Sequence, residues 1–132
     1  MFDFFTTVTV EQARNISPVT LAFVGDAVYS LYVRERLVLS TDFKTGELQK
    51  LASSEVSAQG QSRFLEELLP VFTEEENDIF RRGRNAKKTT KSKHASVAEY
   101  NRSTGFEAVL GYLYLTGQYA RIAQLLNGNN QQ

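Results

Sequence analysis

The sequence predicts an all-α fold. Two observations carry that reading. Only two prolines occur in 132 residues, and alternating strand patterns are scarce. Helix-start signals, by contrast, recur ahead of the apolar runs: Ser17-Pro18, Thr73 with Glu76, and Ser96 with Glu99.

Taken in order, Ser17 is an N-cap with Pro18 at the first helical position, predicting a helix to about Leu39. Its expected apolar stripe is Leu21, Val24, Val28, Leu31 and Tyr32. Ser40 to Lys44 reads as a polar connector. A short helix over Thr45–Ala52 is expected next, then one over Ser54–Leu69 that stops at Pro70. Thr73-Glu74-Glu75-Glu76 is a capping box opening a helix that ends near Gly83. Asn85 to Ala95 lacks apolar periodicity and reads as a basic loop. Ser96-Val97-Ala98-Glu99 is a second capping box, and a long helix follows to Thr116, with a possible break over Ser103–Gly105. Gly117 ends it, and Gln118–Leu126 form a last short helix. The length fits one domain over residues 1–132, with an ordered core over about 10–126 and a polar tail over 127–132.

Composition narrows the chemistry. The chain has no cysteine, which excludes disulfides and thiolate zinc sites, and a single histidine, which excludes a multi-histidine metal site. A metal would be held by oxygen, favouring magnesium, manganese or calcium. The N-terminus lacks the basic start of a signal peptide, and the longest apolar stretches are interrupted by Asp26 or Glu107. No membrane association is expected, and the expected compartment is the cytoplasm.

Asp26 and Glu107 are the most informative residues. Asp26 is the only acid between Arg14 and Arg34, and Glu107 the only charge between Arg102 and Arg121. A carboxylate among apolar neighbours carries a desolvation penalty unless it is paired or binds a metal. Glycines lie beside both, Gly25 and Gly105, so the two backbones can approach and let the carboxylates converge. Two facing acids suffice for one hydrated magnesium ion, the cofactor that phosphodiester hydrolysis uses to activate water. The competing reading is that each acid caps a helix or pairs with an arginine at the surface.

Net charge is zero but unevenly spread. Glu66 to Asp78 holds six acids and no base, whereas Arg81 to Lys93 holds seven bases and no acid. The candidates for a polyanion contact are Arg81, Arg82, Arg84, Asn85, Lys87, Lys88, Lys91 and Lys93. The segment has no aromatic residue, which points to duplex backbone rather than to stacking on single strands. A solvated loop facing the acidic stretch is the alternative. His94 sits beside Lys93, and nothing places it next to either acid.

At these residues a resemblance emerges. LAFVGDAVYSLYVRERL resembles the signature helix of the ribonuclease III superfamily, and TGFEAVLGYLYLTG resembles its second acidic helix. RRGRNAKKTTKSK resembles a basic segment of one branch, the mini-ribonucleases III, which have the catalytic domain without a double-stranded RNA-binding domain. The similarity runs from about Ile16 to Leu126. It implies that Asp26 and Glu107 are the family's essential, metal-ligating acids. Two further acids usual in full-length enzymes are replaced by Ala22 and Thr104, leaving more of each metal shell to water and substrate. The resemblance further implies a magnesium-dependent endoribonuclease for double-stranded RNA, with manganese as a possible substitute. It implies a homodimer with the signature helices across the two-fold axis, and a role in maturing precursor large-subunit ribosomal RNA in a pre-ribosome or ribosomal-protein context. A dimer built on Pro18–Leu37 is expected, with Tyr29 and Tyr32 in its surplus apolar surface. The rival reading is a non-catalytic RNA-binding or ribosome-assembly protein that keeps the fold.

Overall fold

The computed structural model describes residues 3, 6–88 and 96–128. It is helical throughout, with no strand among the described residues. Seven α-helices occur among them: α1 (Val10–Arg14), α2 (Pro18–Ser40), α3 (Thr45–Val56), α4 (Ala58–Leu68), α5 (Glu74–Asn85), α6 (Val97–Leu115) and α7 (Tyr119–Asn127). A 3₁₀ turn over Leu69–Val71 links α4 to α5.

Both expected capping boxes form. The Thr73 hydroxyl accepts from the Glu76 N–H while the Glu76 carboxylate accepts from the Thr73 N–H, and Ser96 and Glu99 repeat the exchange. Gly117, at φ +74°, ends α6 with the Gln118 N–H donating to the Leu113 carbonyl and the Gly117 N–H to that of Tyr114. This is the left-handed terminus glycine favours.

Three expectations need correction. The break between α3 and α4 falls at Ser57, whose hydroxyl accepts from the Gly60 N–H, rather than at Ser53–Ser54. Helix α6 runs unbroken through Ser103–Gly105. Helix α5 continues past the expected end near Gly83 to Asn85, so Asn85 belongs to its last turn rather than to the basic loop. The short α1 was not expected; Thr9 opens it through a third capping box, with Gln12.

Helix α6 is the centre of the molecule. Ser103–Phe106 and Ala108–Leu113 are buried, and helices α2, α4, α5 and α7 pack around it. The buried face of α2 is Leu21, Ala22, Gly25, Tyr29, Val33 and Leu37, with Leu21, Gly25 and Tyr29 against α6. The expected stripe was rotated from this one because Gly25 and Ala22 contribute almost no hydrophobic bulk yet sit at the tightest contact. Leu31 is instead 65% exposed and Phe23 82% exposed. Tyr29 packs edge-on to Phe106 at 5.2 Å between ring centroids, and the Tyr32 hydroxyl donates to the Leu126 carbonyl at 2.9 Å. Both tyrosines are therefore engaged within the subunit. At the other edge, Arg121 donates to both Glu76 oxygens at 2.8 Å and to the Val71 carbonyl, tying α7 to α5.

Candidate metal centre and nucleic-acid interface

The site begins with a close helix crossing. A methyl group on Gly25 would overlap the Glu107 carbonyl oxygen, and one on Gly111 would overlap that of Leu21. Helices α2 and α6 thus touch backbone to backbone, which only residues without a Cβ allow. Gly25 performs the task expected of it. Gly105 does not: its neighbours are the Phe80 carbonyl and ring on α5, and Gly83 packs against its Cα. The second glycine of the α2–α6 crossing is Gly111, whose signal was its place inside an unbroken apolar run.

This crossing brings the carboxyl groups of Asp26 and Glu107 into hydrogen-bond contact. Asp26 sits on the exposed side of α2, while Glu107 is half-buried. Burial, the hydrogen bond to Asp26 and the Asp26 charge push the Glu107 carboxyl up to about 9; a hydrogen bond from Gln61 opposes them. Glu107 therefore holds its proton more tightly than an ordinary carboxyl.

Gln61 was not singled out from the sequence. Its side chain, 1% exposed, donates from Nε2 to Glu107 Oε2 at 3.0 Å and to the Val56 carbonyl at 2.9 Å. Its Oε1 is buried without a partner. The available signal was positional: Gln61, Leu65 and Leu68 share the buried face of α4, where a polar residue is out of place.

The donor set suits a hydrated divalent cation. Two adjoining carboxyls that repel when ionised, with ionisation of Glu107 disfavoured by burial, are relieved by a positive charge between them. The buried Gln61 oxygen is an acceptor that an ordered water can satisfy. Among the described residues no group of three or more acids, histidines or cysteines is placed to hold a metal ion. Ala22 is buried, and the Thr104 hydroxyl donates to the Tyr100 carbonyl at 3.0 Å. Any ion here would keep most of its ligands as water, as magnesium commonly does.

The described part of the basic segment, Arg81 to Lys88, is carried by α5 and the residues just after it. Gly105, against α5, and Glu107, against α2 and α4, are about 200° apart around α6. The end of α5 packs at Gly83 on Thr104, Gly105 and Ala108, a different face of α6 from the one that carries Glu107. Its cations differ in availability. Lys87 is exposed. Arg81 faces Asp78 at 3.9 Å, and Arg82 donates to the Arg14 carbonyl at 3.3 Å. Arg84 lies 5.7 Å from the Phe80 ring centroid and donates to Asn85 Oδ1 at 3.1 Å. Lys88 Nζ donates to the carbonyls of Gly83, Arg84 and Ala86 at 2.7–3.0 Å, closing the C-terminus of α5. All three of its protons are in use, and burial holds its pKa below the usual lysine value. Lys91, Lys93 and His94 lie outside the described residues.

Comparison with known proteins agrees with this architecture. The ribonuclease III domain family matches residues 19–118. A mini-ribonuclease 3 of Symbiobacterium thermophilum is 47% identical over 112 residues, covering 85% of this chain and 86% of the relative. One from Streptococcus pneumoniae is 45% identical over 114 residues, covering 85% and 89%. The X-ray structure of a Fusobacterium nucleatum protein superposes with a TM-score of 0.79 at 31% identity, over 86% of this chain and 93% of that one. The chain belongs to the ribonuclease III family, in its mini-ribonuclease III branch.

Proposed function

We propose that this protein is an endoribonuclease that hydrolyses phosphodiester bonds in double-stranded RNA, with Asp26 and Glu107 holding a divalent cation, magnesium by preference. Family membership supports the activity on double-stranded RNA. The observation that carries the assignment of residues is the contact between the Asp26 and Glu107 carboxyls at the α2–α6 crossing. When bound, the cation supplies positive charge at the phosphate and lowers the pKa of water.

The chain's own residues set the terms. Glu107 must release its proton before it can hold a cation, because ligating carboxylates act ionised. Asp26, on the exposed side of α2, keeps the pair open to substrate. The Gln61 amide stabilises the ionised form of Glu107. Arg81, Arg82, Arg84 and Lys87 would hold the RNA backbone away from the reacting phosphate, with Lys88 shaping the end of α5 that presents them.

The working unit proposed is a two-fold dimer. Along α2, the exposed apolar residues Val19, Phe23, Leu31 and Val38 stand on the side turned from the core. Such a stripe on a small domain marks an interaction surface, and self-pairing would set two sites toward the two strands of a duplex. The substrate proposed is precursor large-subunit ribosomal RNA in the cytoplasm. Among the described residues no helix is long and apolar enough to cross a membrane.

A cleavage assay on a short RNA duplex tests the reading, run with magnesium and with chelator. Asp26→Asn and Glu107→Gln should each lower cleavage at least about a hundredfold, since metal activation supplies several kcal/mol of the barrier. Near-native cleavage by either variant would contradict the site. A non-catalytic RNA-binding protein would show duplex binding with no magnesium-dependent cleavage.

A further inference from the structure

The one fully buried side-chain amide at the acid pair belongs to Gln61, and its hydrogen bonds run in one direction. Both described bonds are donated by Nε2, one to the Val56 carbonyl at the end of α3 and one to Glu107 Oε2. A primary amide nitrogen has two protons, so both are committed. The Val56 bond fixes the amide against the α3–α4 junction, where Ser57 caps α4. The second proton then has a set direction, and that direction is Glu107. The amide oxygen remains buried with no partner. A buried acceptor left unsatisfied is costly and rarely tolerated without a use. If Gln61 served packing alone, an apolar residue of the same shape would fill the face it shares with Leu65 and Leu68 without that penalty.

We propose that Gln61 is a positioning residue: it holds the Glu107 carboxylate against Asp26 in the arrangement that takes a cation, and offers its free oxygen to a water ordered there. This rests on Glu107 being a cation ligand. It assigns a third element, α4, to a site otherwise made by α2 and α6. It also gives the site a polar partner where Ala22 and Thr104 supply no carboxylate. Outer partners that orient a ligating side chain commonly govern metal affinity by ten- to a hundredfold.

The test compares wild type, Gln61→Met and Gln61→Asn. Methionine keeps the length without polar atoms. Asparagine keeps the amide but is too short to reach Val56 and Glu107 together. Manganese binding to the RNA-free protein is measured by calorimetry, and duplex cleavage is titrated with magnesium, both per folded molecule as judged by circular dichroism. Both variants should bind manganese at least about tenfold more weakly. Both should need correspondingly more magnesium for half-maximal cleavage, and high magnesium should restore part of the rate. A purely structural Gln61 would lower the melting temperature and leave metal affinity per folded molecule unchanged, which overturns the proposal. Should Gln61→Met not fold, Gln61→Asn decides alone. Asp26→Asn and Glu107→Gln run alongside. If these also bind manganese and cleave normally, the acid-pair assignment itself is wrong. If they fail while the Gln61 variants behave as wild type, only the role of Gln61 falls.

Discussion

Gly25 on α2 lies against the backbone of Glu107 on α6, so close that a single methyl group on it would overlap the Glu107 carbonyl oxygen. The contact that packs the two longest helices is also the one that sets the acids side by side. Gly25→Ala must push α6 away, and backbone, unlike a flexible side chain, has little room to yield. We expect a loss of more than about 3 kcal/mol in stability, at the upper end for overpacking. Gly111→Ala, which would meet the Leu21 carbonyl, should behave alike. Gly46→Ala has open space around it and serves as the control. Urea unfolding of the three variants checks this; a near-neutral Gly25→Ala would show that the crossing is looser than described.

The proton on Glu107 links pH to stability. Folding moves its carboxyl from 4.5 to about 9. Between those values the folded chain keeps a proton that the unfolded chain has lost. The associated stability is complete below pH 4.5, falls as pH rises through the window, and is gone above about pH 9. Glu107→Gln should therefore be less pH-sensitive than wild type, the difference growing from pH 5 to pH 9. Magnesium should reverse the trend in wild type, with proton release on binding. Melting curves across that range, with and without magnesium, test it; parallel pH profiles for the two proteins would show that Glu107 is ionised in the folded state.

The cations at the end of α5 should separate into two groups. Alanine at Arg82, Arg84 or Lys87 should weaken duplex binding about equally across sequences. Each should make the log-affinity against log-salt slope shallower by roughly one unit. Turnover at saturating RNA should hardly change, because such contacts bind ground and transition states alike. Lys88→Ala should instead reduce stability, since it exposes the Gly83, Arg84 and Ala86 carbonyls that Nζ now closes. An unchanged salt slope in the triple variant would remove this segment from the RNA site and turn attention to Lys44, Lys50 and Arg63.

The exposed side of α2 gives a prediction on assembly. Phe23 is 82% exposed in the subunit, so Phe23→Asp removes no internal contact and should leave the helical content unchanged. It should convert a two-fold dimer to a monomer by light scattering at micromolar concentration. A wild-type monomer under those conditions would exclude the dimer.

The fold class and the helix starts were legible because capping boxes and the Ser17-Pro18 pair are local, and local hydrogen bonds dictate them. The acid pair was legible because a charge in an apolar run has few uses. What escaped were consequences of approach. The face of α2 was misplaced because Gly25 and Ala22 count for little in hydropathy yet occupy the tightest packing. Gly105 was assigned to the wrong neighbour because sequence does not say which side of α6 faces α2. Gln61 was overlooked because an amide in a mostly polar helix stands out only once Leu65 and Leu68 reveal which face is inward. Tyr29 and Tyr32 were expected at a surface between subunits and are engaged inside one.

Helix α6 has one more implication. Gly105 and Glu107 are two residues apart, yet one is fitted to α5 and the other to α2 and α4. Inserting or deleting one residue between them would turn one half of the helix by about 100° against the other. It would separate Glu107 from Asp26 or drive a side chain into Phe80, with no composition able to mend both. Length variation among related chains should therefore collect in the connections flanking α6, and the stretch from Gly105 to Gly111 should keep a fixed count of residues whatever its side chains become.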